Sequence, residues 1–149
     1  LTMVHHSLFG KTKEMSTLLI DVLAKEDRLV EFRSFSAFEA KASDILKSDG
    51  IIFGTPANFG YMSGALKDFF DRSYYELEGK VDAIPYAIFV SASTDGTGAV
   101  NSIRRICSGL NLKEVQEPLV FTKKLSESDQ QRLRDFGMTM VVGIDAGIF

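Results

Sequence analysis

The 149 residues carry a formal net charge of −3, with 45% apolar and 25% charged residues. That is the balance of an ordinary globular chain, long enough to cover a sheet with helices on both faces, and its mild acidity argues against a nucleic-acid or anionic-membrane role. A single cysteine, Cys107, excludes an intramolecular disulfide and a cysteine-cluster metal site, no run approaches membrane-spanning length, and no signal-peptide pattern is present.

Taken in chain order, Leu1–His6 reads as a first strand whose start falls outside the sequence, so a few native residues are expected to precede it. Ser7-Leu8-Phe9-Gly10-Lys11-Thr12 is a polar turn opening a helix with Met15, Leu18, Leu19, Val22 and Leu23 on its apolar side. Leu29 to Phe35 alternates apolar and charged residues, as a strand near an edge does. Ser43–Lys47 predicts a short helix. Gly50-Ile51-Ile52-Phe53-Gly54 is a short, glycine-bounded apolar run that suits a buried parallel strand. Between Pro56 and Gly60 the backbone is expected to be irregular. Ser63 is a good N-cap for a helix in which Leu66, Phe69, Phe70 and Tyr74 recur at helical spacing.

Pro85 precedes Tyr86–Val90, a run suited to a central strand. The small polar loop Ser91–Gly98 follows, then a helix from about Ala99 to Leu110, where Cys107 reads as a partly buried, inert thiol. Leu112–Phe121 holds the fifth strand, with Pro118 calling for an edge or a bulge in its second half. Ser126–Asp129 opens a last helix whose inner face is Leu133, Phe136, Gly137 and Met140, with its end marked by Gly143 and Gly147. No repeat, linker or low-complexity segment appears, so residues 1–149 read as one domain.

Five strands alternating with helices predict an α/β fold with a doubly wound parallel sheet, in the order 2-1-3-4-5. In that order the loops after strands one and three diverge to opposite faces and leave a crevice between Ser7–Thr12 and Thr55–Met62. The loop Ser91–Gly98 reaches the same mouth. At the first loop, backbone amides and the helix dipole favour an anion, with Ser7 and Thr12 as hydroxyl donors and Gly10 allowing close approach.

One stretch carries a family resemblance. Gly54-Thr55-Pro56, then Phe59-Gly60-Tyr61-Met62-Ser63-Gly64, then Lys67 with Phe70-Asp71, resembles the flavin loop of flavodoxin-like NAD(P)H:quinone oxidoreductases of the WrbA type and their NADPH-dependent FMN reductase kin. Ser7-Leu8-Phe9-Gly10 is similar to the Ser-x-aromatic-Gly variant of the phosphate loop in that family. Flavodoxins proper carry another hydroxyl where Phe9 stands. Asn58 replaces an Arg and Tyr61 an Asn that often occur in WrbA-type proteins.

The resemblance implies a five-stranded flavodoxin-like fold, FMN as cofactor and NAD(P)H as electron donor, with a quinone or similar acceptor. The phosphate would be held by Ser7, Phe9, Gly10, Lys11 and Thr12. The ring would be held by Thr55, Pro56, Ala57, Asn58, Phe59, Gly60 and Tyr61, with Phe59 or Tyr61 as its flat apolar wall. Ser91, Ser93, Thr94, Asp95 and Gly96 would border the dimethylbenzene and pyrimidine sides of the flavin. Asp95 suits a ribityl contact or a helix cap, and the cap is the favoured reading. No side chain need act as acid or base, since hydride chemistry belongs to the flavin.

Family members commonly associate, so a homodimer or homotetramer is expected, with Phe69–Tyr75 as core plus rim or as the contact. The expected compartment is the cytoplasm. The alternatives are a one-electron carrier of the flavodoxin type and a flavin-free binding domain on the same fold.

Rival constellations fail. A receiver domain needs acidic residues where His5-His6-Ser7 and Gly54-Thr55-Pro56 stand. There is no Walker A ending and no Gly-x-Ser-x-Gly elbow. His5 and His6 are adjacent on a strand and point to opposite faces, so they do not jointly bind a metal.

Overall fold

The computed structural model describes residues 1–26 and 30–149. The elements are β1 (Thr2–His5), α1 (Lys11–Leu23), β2 (Arg33–Ser36), α2 (Ala42–Ile45), β3 (Ile51–Pro56), α3 (Gly64–Leu77), β4 (Pro85–Ser91), α4 (Thr97–Gly109), β5 (Lys113–Glu114), β6 (Leu119–Phe121) and α5 (Glu127–Asp145). All strand pairs are parallel, and the order is β2-β1-β3-β4-β5, with β6 also pairing β4. This is the expected topology.

The register explains the two faces. Val4, Ile51, Phe53, Ile88 and Val90 point to one side, where they pack with α3 and α4 through Leu66, Phe69, Phe70 and Ile103. Their neighbours Met3, Ile52, Ala87 and Phe89 point to the other, against Met15 and Leu19 of α1 and Leu133, Phe136 and Met140 of α5. Successive side chains of a strand alternate, so an apolar run such as Ile51-Ile52-Phe53 serves both layers at once. Gly137 lets α5 approach α1 closely, since a Cβ there would lie 2.7 Å from Leu19 Cδ2.

Several expectations shift in detail. The second strand is Arg33–Ser36, later than the alternation indicated, with Leu29 outside the described residues; it does sit at the edge, pairing only β1. The fifth strand is split. Residues 115–118, ending in Pro118, stand opposite only Ala87 and Ile88, so the segment bulges away before β6 rejoins β4. Gly143 does not end α5; it lies inside the helix and makes room for the Phe149 ring, and Gly147, at φ +62°, follows the true end.

Caps agree with sequence. The Ser63 hydroxyl accepts from Leu66 N at 3.2 Å, and Ser126 and Asp129 form a capping box on α5. Cys107 is fully buried rather than partly, and burial pushes its thiol well above the ordinary value. Phe69 and Phe70 are core, Tyr74 is half-buried, and Tyr75 stands in solvent. Among the described residues no helix is long and apolar enough to cross a membrane.

Candidate functional site

At the carboxyl ends of β1, β3 and β4 the loops enclose an open cavity of about 210 Å³. Its lining is Phe9, Lys11, Thr12, Pro56, Ala57, Asn58, Ser91, Ala92 and Ser93. Eight of these nine are residues that the sequence singles out. Ala92 is the addition. It carries no functional atom beyond its backbone, so nothing in the sequence marked it.

The β1 loop delivers the N-terminus of α1. Gly10 is its N-cap at φ +94° with no side-chain cap, a conformation that glycine adopts freely. The first amides of a helix have no acceptor within the helix, so this end is an electropositive cluster of donors. The Ser7 hydroxyl oxygen accepts from Gly10 N at 3.2 Å, which leaves its own proton to donate. Thr12 is buried, its Oγ1 2.7 Å from Ser91 Oγ at the end of β4. The Lys11 ammonium donates to Ala92 O at 3.1 Å and to Thr122 O at 2.9 Å, which ties α1 to the loops after β4 and β6. Phe9 is 90% exposed.

The β3 loop is more ordered than its Pro and Gly content indicated. Asn58 and Tyr61 exchange both backbone hydrogen bonds, at 2.9 and 3.0 Å, and Phe59 and Gly60 between them have φ of 52° and 70°. Positive φ at both central residues is the signature of a two-residue type I′ turn, so the expected irregular loop is a miniature hairpin. Phe59, at its apex, is fully exposed, and Tyr61 is partly so. The base of the turn is pinned on three sides. Ala57 N donates to Ser91 O at 2.8 Å, Ser63 N to Thr55 Oγ1 at 2.9 Å, and Met62 N to Ser102 Oγ at 3.1 Å. Thr55 is thus buried and engaged within the fold. Its neighbour Gly54 faces the Phe89 ring, where a Cβ would lie 2.1 Å from Cζ.

In the third loop Ser91 is buried while Ser93, Thr94 and Asp95 are exposed. The Asp95 carboxylate accepts from Thr97 N at 2.9 Å and from Thr97 Oγ1 at 2.6 Å, bonds that hold its carboxyl below the usual carboxylate range. It serves the start of α4, as the cap reading has it. Gly96 is turned inward against Val120, where a Cβ would be 2.6 Å from Cγ1.

Behind the β1 loop stand His5 and His6. Burial pushes both imidazoles below their ordinary value, with His6 also depressing His5 and Glu39 opposing. The His6 ring meets Phe38 edge to face at 5.4 Å. Arg72 of α3 donates to Ala37 O and Ala40 O at 2.9 and 3.2 Å, which fixes the loop that carries Phe38. Among the described residues no group of three or more His, Cys, Asp or Glu side chains is placed to hold a metal ion.

What this arrangement offers chemically is a donor-rich helix end beside an exposed aromatic turn, both bordering one cavity at the switch point of the sheet, where ligands of open α/β folds bind.

Comparisons with known proteins bear on the fold and the family. A flavodoxin from Streptococcus pneumonia TIGR4 superposes with a TM-score of 0.80 at 19% identity, over 95% of this chain and 97% of that one. A flavodoxin, WrbA-like protein from Agrobacterium tumefaciens gives 0.75 at 16% identity, over 98% and 96%. These likenesses show a flavodoxin-like fold. In sequence, an NAD(P)H dehydrogenase (quinone) of Acidithiobacillus ferrooxidans is 41% identical over 64 residues, 42% of this chain and 32% of that protein. A flavodoxin of Aquifex aeolicus is 31% identical over 100 residues, 67% and 52% of the two chains. The matched segments thus span about a third to a half of the length of these curated relatives. Residues 11–126 match the model of a family described as NADPH-dependent FMN reductase. The chain belongs to the NADPH-dependent FMN reductase family.

Proposed function

We propose that this chain binds FMN at the mouth formed by the β1, β3 and β4 loops and uses it to pass two electrons from NAD(P)H to a quinone-like acceptor. The observation that carries the reading is one juxtaposition: the uncapped N-terminus of α1 and the base of the Phe59–Gly60 turn line the same cavity.

The residues present fit the cofactor. A phosphate requires converging donors, and the first amides of α1 with the Ser7 hydroxyl supply them. Nothing lies within 4 Å of where a Gly10 Cβ would be, so the approach is open. A ring needs flat apolar surface and polar atoms at fixed positions. Phe9, Phe59 and Tyr61 are the exposed aromatics of these loops, and Asn58 and Ser93 bring polar side chains to the lining of the cavity. Bound FMN supplies the hydride and electron chemistry. The protein's part is to bind, orient and shield it, and no side chain of the cavity is placed as an acid or base.

The donor and acceptor classes draw their support from the names of relatives, the NAD(P)H dehydrogenases (quinone). Small residues in the β4 loop leave room for a nicotinamide beside the ring. One-electron carriage is the second reading, favoured by the Aquifex aeolicus relative named a flavodoxin. Against it, no acidic residue occurs between Thr55 and Ala65, and Asp95 alone between Ser91 and Gly98. Its carboxylate is already held by Thr97.

The test is a flavin titration followed by turnover. Heating the purified protein should release FMN, or the flavin-free protein should take it up, and NAD(P)H should then be oxidised when a quinone is added. A protein that stays colourless after FMN titration overturns the reading. One that binds FMN but reacts with neither nicotinamide is the carrier. Ser7→Ala sharpens the assignment: a hydrogen bond to a charged group is worth about 1.5–3 kcal/mol, so FMN should bind roughly ten- to a hundredfold more weakly while riboflavin, lacking the phosphate, is unaffected.

A further inference from the structure

The tip of the β3 turn is seated on the first turn of α4. A Cβ added at Gly98 would lie 2.0 Å from the Gly60 carbonyl oxygen, 2.8 Å from its carbon and 3.3 Å from its Cα. The obstruction is backbone, with no flexible side-chain end to swing aside. Gly98 lies within α4, outside the left-handed region that favours glycine, so space rather than backbone conformation calls for glycine here. The contact is also electrostatically sensible, because a carbonyl oxygen meets the positive end of a helix.

This seat matters because little else holds the tip. Phe59 is a bulky residue at φ 52°, a conformation such residues rarely adopt, and its ring stands in solvent, so its side chain does not anchor the turn. Nothing lies within 4 Å of a Cβ at Gly60. Beyond the Ala57–Ser91 and Ser63–Thr55 bonds at its base, the turn is held by the Asn58–Tyr61 backbone pair, by Met62 N on Ser102 Oγ, and by the Gly60–Gly98 contact. Two of these three are made to α4.

We propose that Gly98 is a positioning residue for the cofactor ring: by leaving space for the Gly60 carbonyl it sets how deeply Asn58, Phe59 and Gly60 stand at the cavity mouth. The proposal rests on the FMN reading above. A methyl group at position 98 lifts the turn off α4 or pushes α4 away. Both displace the ring side of the site and leave the phosphate side, built on α1, where it is.

The test compares two ligands and two glycines. Gly98→Ala should weaken FMN and riboflavin by the same factor, tenfold or more, with the far-UV spectrum of the folded chain retained. Gly64→Ala is the matched control, since a Cβ there meets nothing within 4 Å, and it should leave both affinities unchanged. In the flavin-free protein, Gly98→Ala should speed amide hydrogen exchange at Asn58, Tyr61 and Met62 while the amides of Ile51–Thr55 keep their protection. Unchanged flavin affinities overturn the proposal, as does a loss confined to FMN, which would put Gly98 on the phosphate side. If the parent protein binds neither flavin, the FMN reading fails by itself, and the exchange experiment still decides whether Gly98 holds the turn. Should Gly98→Ala fail to fold, Ser102→Ala removes the Met62 tether instead. A smaller but equal loss for both flavins then supports the proposal, and no loss overturns it.

Discussion

The hydroxyl oxygens of Thr12 and Ser91 lie 2.7 Å apart, both almost out of water, and join the first turn of α1 to the last residue of β4. Only one of the two hydroxyl protons closes this contact, so the pair keeps one proton for a further acceptor at the cavity. Thr12→Ala would strand the buried Ser91 hydroxyl, at a cost of about 1–3 kcal/mol in the flavin-free protein. The double variant Thr12→Ala/Ser91→Ala should cost less than the two single changes added together, because the partner is removed with the group it served. Urea unfolding of the four proteins checks this. Additive losses would mean that the hydroxyls do not interact.

Much of this was legible in the residues. Strand order followed from the alternation of elements, and the Ser63 and Ser126 caps from single hydroxyl residues before apolar periodicity. The cavity lining followed from the rule that ligands sit where strand order reverses. What escaped is what depends on distant partners. Pro56 and Gly60 foretold a break in regular structure but not a hairpin, because Phe59 is among the last residues a type I′ turn would select. Thr55 and Gly54 stand in the flavin-loop pattern and Gly96 in the third loop, yet what these positions meet is Ser63, eight residues on, and the more distant Phe89 and Val120. Lys11, expected at the phosphate, is held by two carbonyls some 80 and 110 positions away.

Phe59 carries a conflict between stability and binding. Asn tolerates the left-handed conformation far better than Phe, and the Phe59 ring makes no buried contact that would be lost. Phe59→Asn should therefore raise the stability of the flavin-free protein, by about 1 kcal/mol. It should also weaken FMN and riboflavin to a similar extent by removing an aromatic face from the ring side. Thermal unfolding and flavin titration on the same samples measure both. A variant that is less stable would show that the Phe59 ring packs on the protein after all.

The histidines predict a pH dependence. The Nδ1 atoms of His5 and His6 are buried without a hydrogen-bond partner, and burial holds both imidazoles below their ordinary value of 6.5. The unfolded chain therefore takes up protons that the folded chain refuses. Their contribution to stability is complete above the unfolded value and is lost as pH falls through 6.5 towards the depressed folded values. Denaturant midpoints should decline between about pH 7 and 5, before most carboxylates titrate. The double variant His5→Gln/His6→Gln should flatten that decline. An equally steep decline in the variant would assign it to other groups.

Gly54 and Phe89 are register partners on β3 and β4, and the ring of the second covers the α-carbon of the first. Although Gly54 heads the stretch that resembles a flavin loop, its lack of a side chain answers to this ring. A methyl group would stand 2.1 Å from Phe89 Cζ in a fully buried layer with no room to move. Gly54→Ala should thus cost about 1–3 kcal/mol by overpacking, whereas Phe89→Ala alone should cost about 3–5 kcal/mol by leaving a cavity. In the Gly54→Ala background, Phe89→Leu should recover part of the loss, since the shorter side chain withdraws from the new methyl group. The folded fraction of Gly54→Ala should bind FMN and riboflavin in the same ratio as the parent. A shift in that ratio, with stability unchanged, would place Gly54 at the cofactor instead of beneath Phe89.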